Sequence, residues 1–142
     1  MREILFKAKR KDNGEWVEGS LISTEDNSGF ILRSKTKAFI PKGTNTFCST
    51  ECYEIDQTTL CQYTGLTDKH DNKIWENDIC DREEKYPEIV TFNKGDWQLD
   101  YSYVFGKEMH TDACNLGFYV CERNCVEVIG NIFDNADLLE VK

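Results

Sequence analysis

Residues 3–22 constrain the fold most, because apolar and charged side chains alternate on both sides of a tight-turn signal. In EILFKAK, the side chains of Ile4, Phe6 and Ala8 fall on one face, as in a half-buried strand. KDNG follows at residues 11–14, and an Asn-Gly pair favours the positive φ that hairpin turns require. EWVEGSLI then resumes the extended pattern. We therefore predict a β-hairpin over residues 3–22.

Short extended segments separated by polar turns continue through the rest of the chain. NKGD lies between EIVTF and WQLDYSYVF and predicts a second hairpin. Further strands are predicted at FILRS, KAFI, ECYEID, GFYVC and CVEVIG, with loops at PKGTNTFCST and GKEMHTDACNLG. NIFDNADLLE predicts a short helical turn that Asp134 or Asn135 caps, with Leu138 and Leu139 facing inward.

These patterns predict an all-β fold. The hairpin spacing favours a small SH3-like barrel or roll, preceded by an N-terminal β-hairpin region and followed by one short C-terminal helix. A chain of 142 residues fits one domain, or a small barrel with an extension. We predict an N-terminal region over residues 1–57 and a barrel-like region over residues 58–142; the alternative is a single compact unit.

The charge of the chain argues against nucleic acid as a partner. The 26 acidic residues exceed the 17 Lys and Arg residues and give a net charge of -9, which repels polyanions. The basic cluster KAKRK at residues 7–11 is soon followed by Glu15 and Glu18, so we interpret it as a solvated strand and turn. The N-terminus lacks the apolar run of a signal peptide, and nothing downstream is typical of a membrane span. We therefore predict a cytoplasmic protein with no membrane partner.

The segment QYTGLTDKHDNKIWENDIC, residues 62–80, concentrates potential ligands: Asp68, His70, Asp71, Glu76 and Asp78. A calcium loop starting at Asp68 needs Gly at its sixth position and Glu at its twelfth, but these are Lys73 and Ile79. A single His does not make a zinc or iron site, and the carboxylates have no nucleophile beside them. We predict a polar hairpin tip over residues 68–73, followed by a turn in which Asp78 accepts backbone N–H bonds.

The cysteines leave three alternatives open. Two pairs share the same spacing, Cys48-x3-Cys52 and Cys121-x3-Cys125. These cysteines could bind one zinc ion through four thiolates, form a disulfide or stay unlinked, and the reducing cytoplasm favours unlinked thiols. Cys80 lies in an apolar strand and is predicted to belong to the core. The remaining cysteines are Cys61 and Cys114.

The sequence contains none of the motifs that mark serine hydrolases, zinc proteases, phosphate loops or dinucleotide-binding folds. Its two histidines, His70 and His110, fall in predicted loops, where His110 and Cys114 form a weak candidate for a Cys–His pair. We therefore predict no catalytic, cofactor-binding or metal-binding residues and no cofactor.

Aromatic side chains are concentrated in the second half of the chain. Trp97, Tyr101 and Tyr103 share one face of a predicted strand through their even spacing, together with Leu99, and Tyr86 and Tyr119 lie nearby in sequence. Small barrels bind peptides or oligonucleotides through such surfaces, but core packing is the favoured interpretation.

Four segments occur in an order that resembles a known family: GEWVEG at 14–19, QYTGL at 62–66, IWENDIC at 74–80 and VIGNIFDNADLL at 128–139. Together they resemble the YopX family of bacteriophage and prophage proteins. The resemblance implies a phage-encoded, β-rich, barrel-containing protein, and it brings no catalytic residues with it. His70-Asp71 and Asn77 stand where the family commonly has glycine; Asp and Asn tolerate left-handed backbone, so the turns remain possible. Gln57 and Cys61 replace a usual Pro and Gly.

We consider three functions. The first is a non-enzymatic accessory protein whose barrel contacts proteins, through self-association or through an unidentified phage or host protein, because β-rich folds have strand edges that need cover. The second is a nucleic-acid-associated barrel, which fold analogy favours and charge opposes. The third is a zinc- or thiol-dependent enzyme.

Overall fold

The structure is a computed structural model that describes residues 2–46, 48–104 and 114–140. Strands make up 48% of it and helices 11%, which confirms the predicted all-β class. All strand pairings within these ranges are antiparallel. The strands are β1 (Phe6–Arg10), β2 (Trp16–Ser23), β3 (Gly29–Arg33), β4 (Ala38–Phe39), β5 (Cys48–Ser49), β6 (Cys52–Thr67), β7 (Lys73–Trp75), β8 (Asp78–Asp81), β9 (Glu88–Asn93), β10 (Asp96–Asp100), β11 (Cys114–Asn115) and β12 (Glu127–Asn131).

The chain divides into two compact units, with the boundary between Gln62 and Tyr63. This boundary falls within β6, so residues 52–62 of that strand belong to the first unit and residues 63–67 to the second. Within the described ranges, no helix combines the length and the apolar character that a membrane crossing requires.

Four strands of the first unit pair in a closed ring. β1 pairs with β2, β2 with β3, and β3 with β6, which returns to pair with β1. The predicted hairpin over residues 3–22 is confirmed as β1 and β2, and Gly14 in its turn has a φ of 73°. The ring is the barrel-like part of the fold and uses residues that the sequence assigned to a hairpin region. The pairing of β6 with β1 joins residues far apart in the sequence, which local patterns do not reveal.

The interior of this ring is built from small and β-branched side chains on alternate positions. Ala8, Val17, Ile31 and Ile55 are buried there. Gly19, buried in β2, allows the closest backbone approach: a Cβ at this position would lie 1.8 Å from the carbonyl oxygen of Leu32. Gly19, the last residue of the GEWVEG segment, is therefore required by the pairing of β2 with β3.

β6 keeps its pairing with β1 by means of a bulge after Asp56. The partner of Lys9 is Asp56, but the partner of Lys7 is Cys61. Thr59 fills the irregularity, since its hydroxyl accepts the Lys9 N–H at 2.9 Å and donates to the Asp56 carbonyl at 2.6 Å. The bulge leaves the backbone groups of Lys9 and Asp56 hydrogen-bonded and lets one long strand bend.

The second unit contains a five-stranded sheet with the order β11-β10-β9-β8-β12. The predicted hairpin around NKGD is confirmed as β9 and β10. Cys80, predicted to be a core residue, is 1% exposed, and Trp97 packs against the same core, as the favoured interpretation of its strand face predicted. The fully buried core residues of this unit are Ile74, Cys80, Val90, Leu99, Leu116 and Val126.

Two predicted strands end differently from what their sequences indicated. WQLDYSYVF is extended only to Asp100, whose carboxylate accepts the Ser102 N–H at 2.7 Å and starts a 3-10 helix over Ser102–Val104. Tyr101 and Tyr103 therefore leave the strand face that Trp97 occupies. GFYVC, predicted as a strand, instead forms a π-helix over Phe118–Glu122.

The helical geometry at GFYVC has a local cause. The Asn115 side chain accepts the Phe118 N–H at 2.7 Å and turns the chain out of β11. The Arg123 N–H then donates to the Phe118 carbonyl, which closes the wide π turn. The predicted short C-terminal helix is confirmed as a 3-10 turn over Ala136–Leu139. Asn135 lies at its N-cap position, but the side-chain cap predicted for it does not form, because its Oδ1 accepts the Asn131 N–H at 3.1 Å instead.

Candidate functional site

Asp68, the first acidic residue of the segment at residues 62–80, is a buried backbone acceptor. The residue is 5% exposed, and its carboxylate accepts hydrogen bonds of 2.9 Å each from the backbone N–H groups of His70, Asn72 and Val128. Burial alone would raise the pKa of Asp68, but the hydrogen bonds from these backbone groups hold it below its ordinary value. Asp68 therefore fixes the turn and ties it to the beginning of β12.

The predicted turns of this segment are confirmed. Asp71 and Asn77 both adopt left-handed backbone, with φ of 65° and 69°, as expected where glycine is usual. Buried Asp78 accepts the Trp75 N–H at 2.8 Å. His70 is exposed, with its Nε2 3.5 Å from Glu127. The carboxylates of Asp68 and Asp78 thus accept hydrogen bonds from backbone N–H groups.

The basic cluster at residues 7–11 is engaged with rings and carboxylates of the first unit. Lys7 lies 4.7 Å from the centre of the Trp16 ring, and Lys11 contacts Glu54 at 2.9 Å. Arg10 pairs with Asp12 at 2.6 Å and stacks over Tyr53. The cluster lies in the predicted strand and turn, where Lys11 is exposed and Lys7 and Arg10 are partly buried.

The cysteine sites considered from the sequence fall only partly within the described residues. The side chain of Cys48 and all of His110 lie outside them, so neither the four-thiolate site nor the Cys–His pair is described in full. The cysteines with described side chains lie outside disulfide bonds: Cys52, Cys61, Cys80, Cys114, Cys121 and Cys125. Over residues 2–46, 48–104 and 114–140, no three His, Cys, Asp or Glu side chains converge as potential metal ligands.

A cationic, apolar arm leaves the ring between β3 and β6. We call residues 34–50 the arm; its strands β4 and β5 pair with each other in a separate two-stranded sheet. At its base, the Thr36 hydroxyl contacts Ser49 at 2.9 Å and donates to Glu51 at 2.6 Å. Phe39 is 60% exposed and Ile40 is 64% exposed, the highest values among the large apolar side chains of the described residues.

A cavity of about 350 Å³ lies in the second unit beside the segment that joins β8 to β9. Glu88, at the start of β9, is 1% exposed and pairs with the Nε of Arg82 through one carboxylate oxygen. Its other oxygen, Oε2, is buried and accepts no hydrogen bond from the described residues. The described lining residues are Arg82, Glu84, Lys85, Tyr86, Glu88 and Tyr101.

Arg82 is the residue that organises this cavity. Its Nη1 lies 3.1 Å from Glu84, its Nη2 donates to the Cys114 thiol at 3.4 Å, and its guanidinium lies 4.3 Å from the centre of the Tyr119 ring. The Arg82 guanidinium therefore pairs with two carboxylates, Glu84 and Glu88, and stacks on the Tyr119 ring. This arrangement fixes the guanidinium in one geometry.

The buried carboxylate of Glu88 is costly in its charged form. Burial raises the pKa of Glu88, Arg82 opposes the rise, and the negative charges of Glu84 and Asp100 add to it. Nearby, the Tyr103 hydroxyl donates to the Pro87 carbonyl at 2.7 Å, and burial raises the pKa of Tyr103. Glu88 thus lines the cavity and has one buried carboxylate oxygen with unused hydrogen-bonding capacity among the described residues.

Arg82 and Glu88 are not recognisable as site residues from the sequence. Both lie in DREEKYPE, residues 81–88, which has the composition of a solvated charged turn. The one available signal was the position of Glu88 immediately before the apolar IVTF, because a strand that begins with a charged residue near the core needs a partner for that charge. Tyr86 and Tyr101 belong to the aromatics for which the sequence favoured core packing, and the structure places both in the lining of the cavity.

A family model described as YopX protein matches residues 5–140. Protein EF1440 from Enterococcus faecalis has a similar solved structure, with a TM-score of 0.61 and 21% sequence identity over 99% of this chain and 100% of that chain. Protein yopX from Bacillus subtilis gives a TM-score of 0.55 and 19% identity over 99% of this chain and 100% of that chain. Curated proteins gave no match.

Proposed function

Because the chain belongs to the YopX family, we propose that it is a bacteriophage or prophage accessory protein that acts without catalysis, through protein contacts in the bacterial cytoplasm. Its first partner is a second copy of itself. The observation that carries the proposal is the arm, where the consecutive residues Phe39 and Ile40 are both exposed. Adjacent large apolar side chains at such exposure are typical of surfaces that a protein partner covers.

Charge favours a second copy as the occupant. The arm contains Lys35, Lys37 and Lys42 and no acidic residue, so all 26 Asp and Glu residues of the chain lie outside it. A basic, apolar arm is therefore complementary to the acidic remainder of another copy. Opposite charges steer the encounter, and the apolar pair supplies the desolvated centre of the contact.

Nucleic acid is the weaker candidate for the same arm. Three lysines can contact phosphates, but the net charge of -9 places the rest of the protein in repulsion with a polyanion. The exposed Phe39 and Ile40 suit a protein contact better than a phosphate backbone.

We expect purified protein at micromolar concentration to scatter light with a mass above the 16.5 kDa of one chain. The double variant Phe39→Ser/Ile40→Ser removes the apolar centre and is expected to return the mass to that of one chain. Multi-angle light scattering after size exclusion measures both. Raising the salt concentration should weaken wild-type assembly as well, since screening reduces the attraction between the lysines and the acidic surface.

Ile4→Ser is the matched control, because Ile4 is 59% exposed in the same unit but lies outside the arm. This variant should assemble as the wild type does. A wild-type protein that stays monomeric at all micromolar concentrations would end the self-association proposal. Unchanged assembly of the double variant would move the interface away from the arm, and a labelled oligonucleotide that binds wild type but not a Lys35→Glu/Lys42→Glu variant would favour nucleic acid instead.

A further inference from the structure

The cavity beside β8 and β9 has the properties of a binding site for an organic cation. Glu88 lines it, is 1% exposed, and has one carboxylate oxygen without a hydrogen bond from the described residues. A buried acceptor without a donor loses the hydrogen bonds that water would give it, so a donor that enters the cavity restores an interaction the folded chain lacks. We propose that the cavity binds an alkylammonium or guanidinium group that donates an N–H to Glu88 Oε2.

The charges around the cavity favour a cationic donor over a neutral one. Arg82 is shared between Glu84 and Glu88, so one guanidinium faces two carboxylates. Asp100 adds a third negative charge that acts on Glu88. Lys85 is the other cation of the lining, and it lies 5.2 Å from the Tyr86 ring. A positively charged donor reduces the repulsion among these carboxylates, which a neutral amide does not do.

The aromatic lining supports the same ligand class. Tyr86 and Tyr101 contribute half-buried rings to the cavity, and ring faces attract cations electrostatically. This unit already uses such contacts internally, since Arg82 stacks on Tyr119 and Lys85 lies near Tyr86. A volume of about 350 Å³ accommodates the end of a Lys or Arg side chain, or a small amine.

The test is an NMR titration of the isotope-labelled full chain with four probes. N-acetyl-arginine amide and N-acetyl-lysine amide represent cationic side chains of peptides, and 1,4-diaminobutane represents free amines. N-acetyl-glutamine amide supplies a neutral N–H donor. We expect saturable shifts at Tyr86, Glu88 and Tyr101 with the cationic probes, and at least tenfold weaker binding of the glutamine probe. The stronger cationic probe identifies a peptide or a free amine as the source.

Two further comparisons separate hydrogen bonding from general charge attraction. Trimethylated N-acetyl-lysine amide keeps the charge but has no N–H on its head group, so we expect it to bind at least tenfold more weakly than the unmodified probe. Glu88→Gln should weaken cation binding by a similar factor. If this variant fails to fold, Glu84→Gln replaces it, because Glu84 is an exposed carboxylate. A several-fold loss of cation binding is expected for Glu84→Gln. Glu140→Gln is the control for the loss of one exposed negative charge.

Three outcomes would overturn the proposal. The first is the absence of saturable shifts with every cationic probe. The second is equal binding of the glutamine probe, which would make charge irrelevant. The third is equal binding of the trimethylated probe, or cation binding that Glu88→Gln and Glu84→Gln leave unchanged, which would place the interaction elsewhere on the acidic surface.

Discussion

Replacement of Arg82 by Met is expected to lower the free energy of unfolding by about 3–5 kcal/mol at neutral pH, because it leaves a buried carboxylate without its counter-ion. Glu88 is 1% exposed, and Arg82 is the cation that pairs with it. Methionine keeps much of the length and apolar contact of the arginine stem, so the loss reports chiefly on charge. Urea unfolding followed by tryptophan fluorescence measures the change.

The loss should depend on pH in a defined direction. The pKa of Glu88 is raised in the folded protein, and removal of Arg82 raises it further. A group with a raised folded pKa contributes stability that is fully present below its unfolded pKa, about 4.3 for Glu, and is lost as the pH rises through the folded value. Arg82→Met should therefore be least destabilising near pH 4 and most destabilising above the raised pKa of Glu88.

Two variants make this prediction specific. Arg82→Lys retains a positive charge but cannot hold Glu88 and Glu84 with a planar fork, so we expect an intermediate loss. In the double variant Arg82→Met/Glu88→Met, the buried charge is gone, and stability should recover relative to Arg82→Met alone. A double variant as unstable as the single one, or a pH-independent loss, would show that Arg82 acts through packing against Tyr119 instead.

Local patterns predicted those parts of the fold that local forces determine. The alternation around Asn13-Gly14 and around NKGD identified β1 with β2 and β9 with β10, since each hairpin pairs residues close in sequence. The left-handed backbone of Asp71 and Asn77 was predictable from the family resemblance, because glycine is usual at these positions and Asp and Asn tolerate that conformation.

Long-range pairings could not be predicted in the same way. β6 closes the ring by pairing with β1 across a bulge at Thr59, and nothing within TTLCQY indicates a partner near the N-terminus. Strand propensity also failed at GFYVC, where one hydrogen bond, donated by the Phe118 N–H to the Asn115 side-chain oxygen, begins a helical turn. Tertiary and capping interactions outweigh propensities that differ by only about 1 kcal/mol.

The candidate binding site illustrates the same limit for function. Charge in DREEKYPE suggests a solvated turn, yet the fold buries Glu88 from this segment and pairs it with Arg82. Conversely, residues 62–80 resemble a chemical site in sequence, while the fold uses the carboxylates of Asp68 and Asp78 to bind backbone N–H groups. Burial and pairing decide between these roles, and both depend on residues distant in the sequence.

Asp68→Ala is expected to lower the free energy of unfolding by about 3 kcal/mol, because it removes the acceptor of three backbone N–H groups in a largely buried turn. Those groups belong to His70, Asn72 and Val128, so the variant loosens both the turn and the start of β12. Asp68→Asn, nearly identical in shape, keeps one oxygen but presents an NH₂ where a second acceptor is needed, and about 2 kcal/mol of loss is expected. Urea unfolding of the purified variants measures both values.

The pH dependence of Asp68→Asn distinguishes its charge from its shape. The pKa of Asp68 is lowered in the folded state, so its contribution is present above the unfolded value of about 3.9 and is lost as the pH falls through the lower folded value. The difference in stability between wild type and Asp68→Asn should therefore narrow below about pH 4. Asp71→Asn is the matched control, since Asp71 is exposed and Asn tolerates its φ of 65°; a change within about 0.5 kcal/mol is expected. Equal losses at Asp68 and Asp71, or a difference that does not narrow in acid, would mean that the turn is held by its backbone pairing and that the buried carboxylate is dispensable.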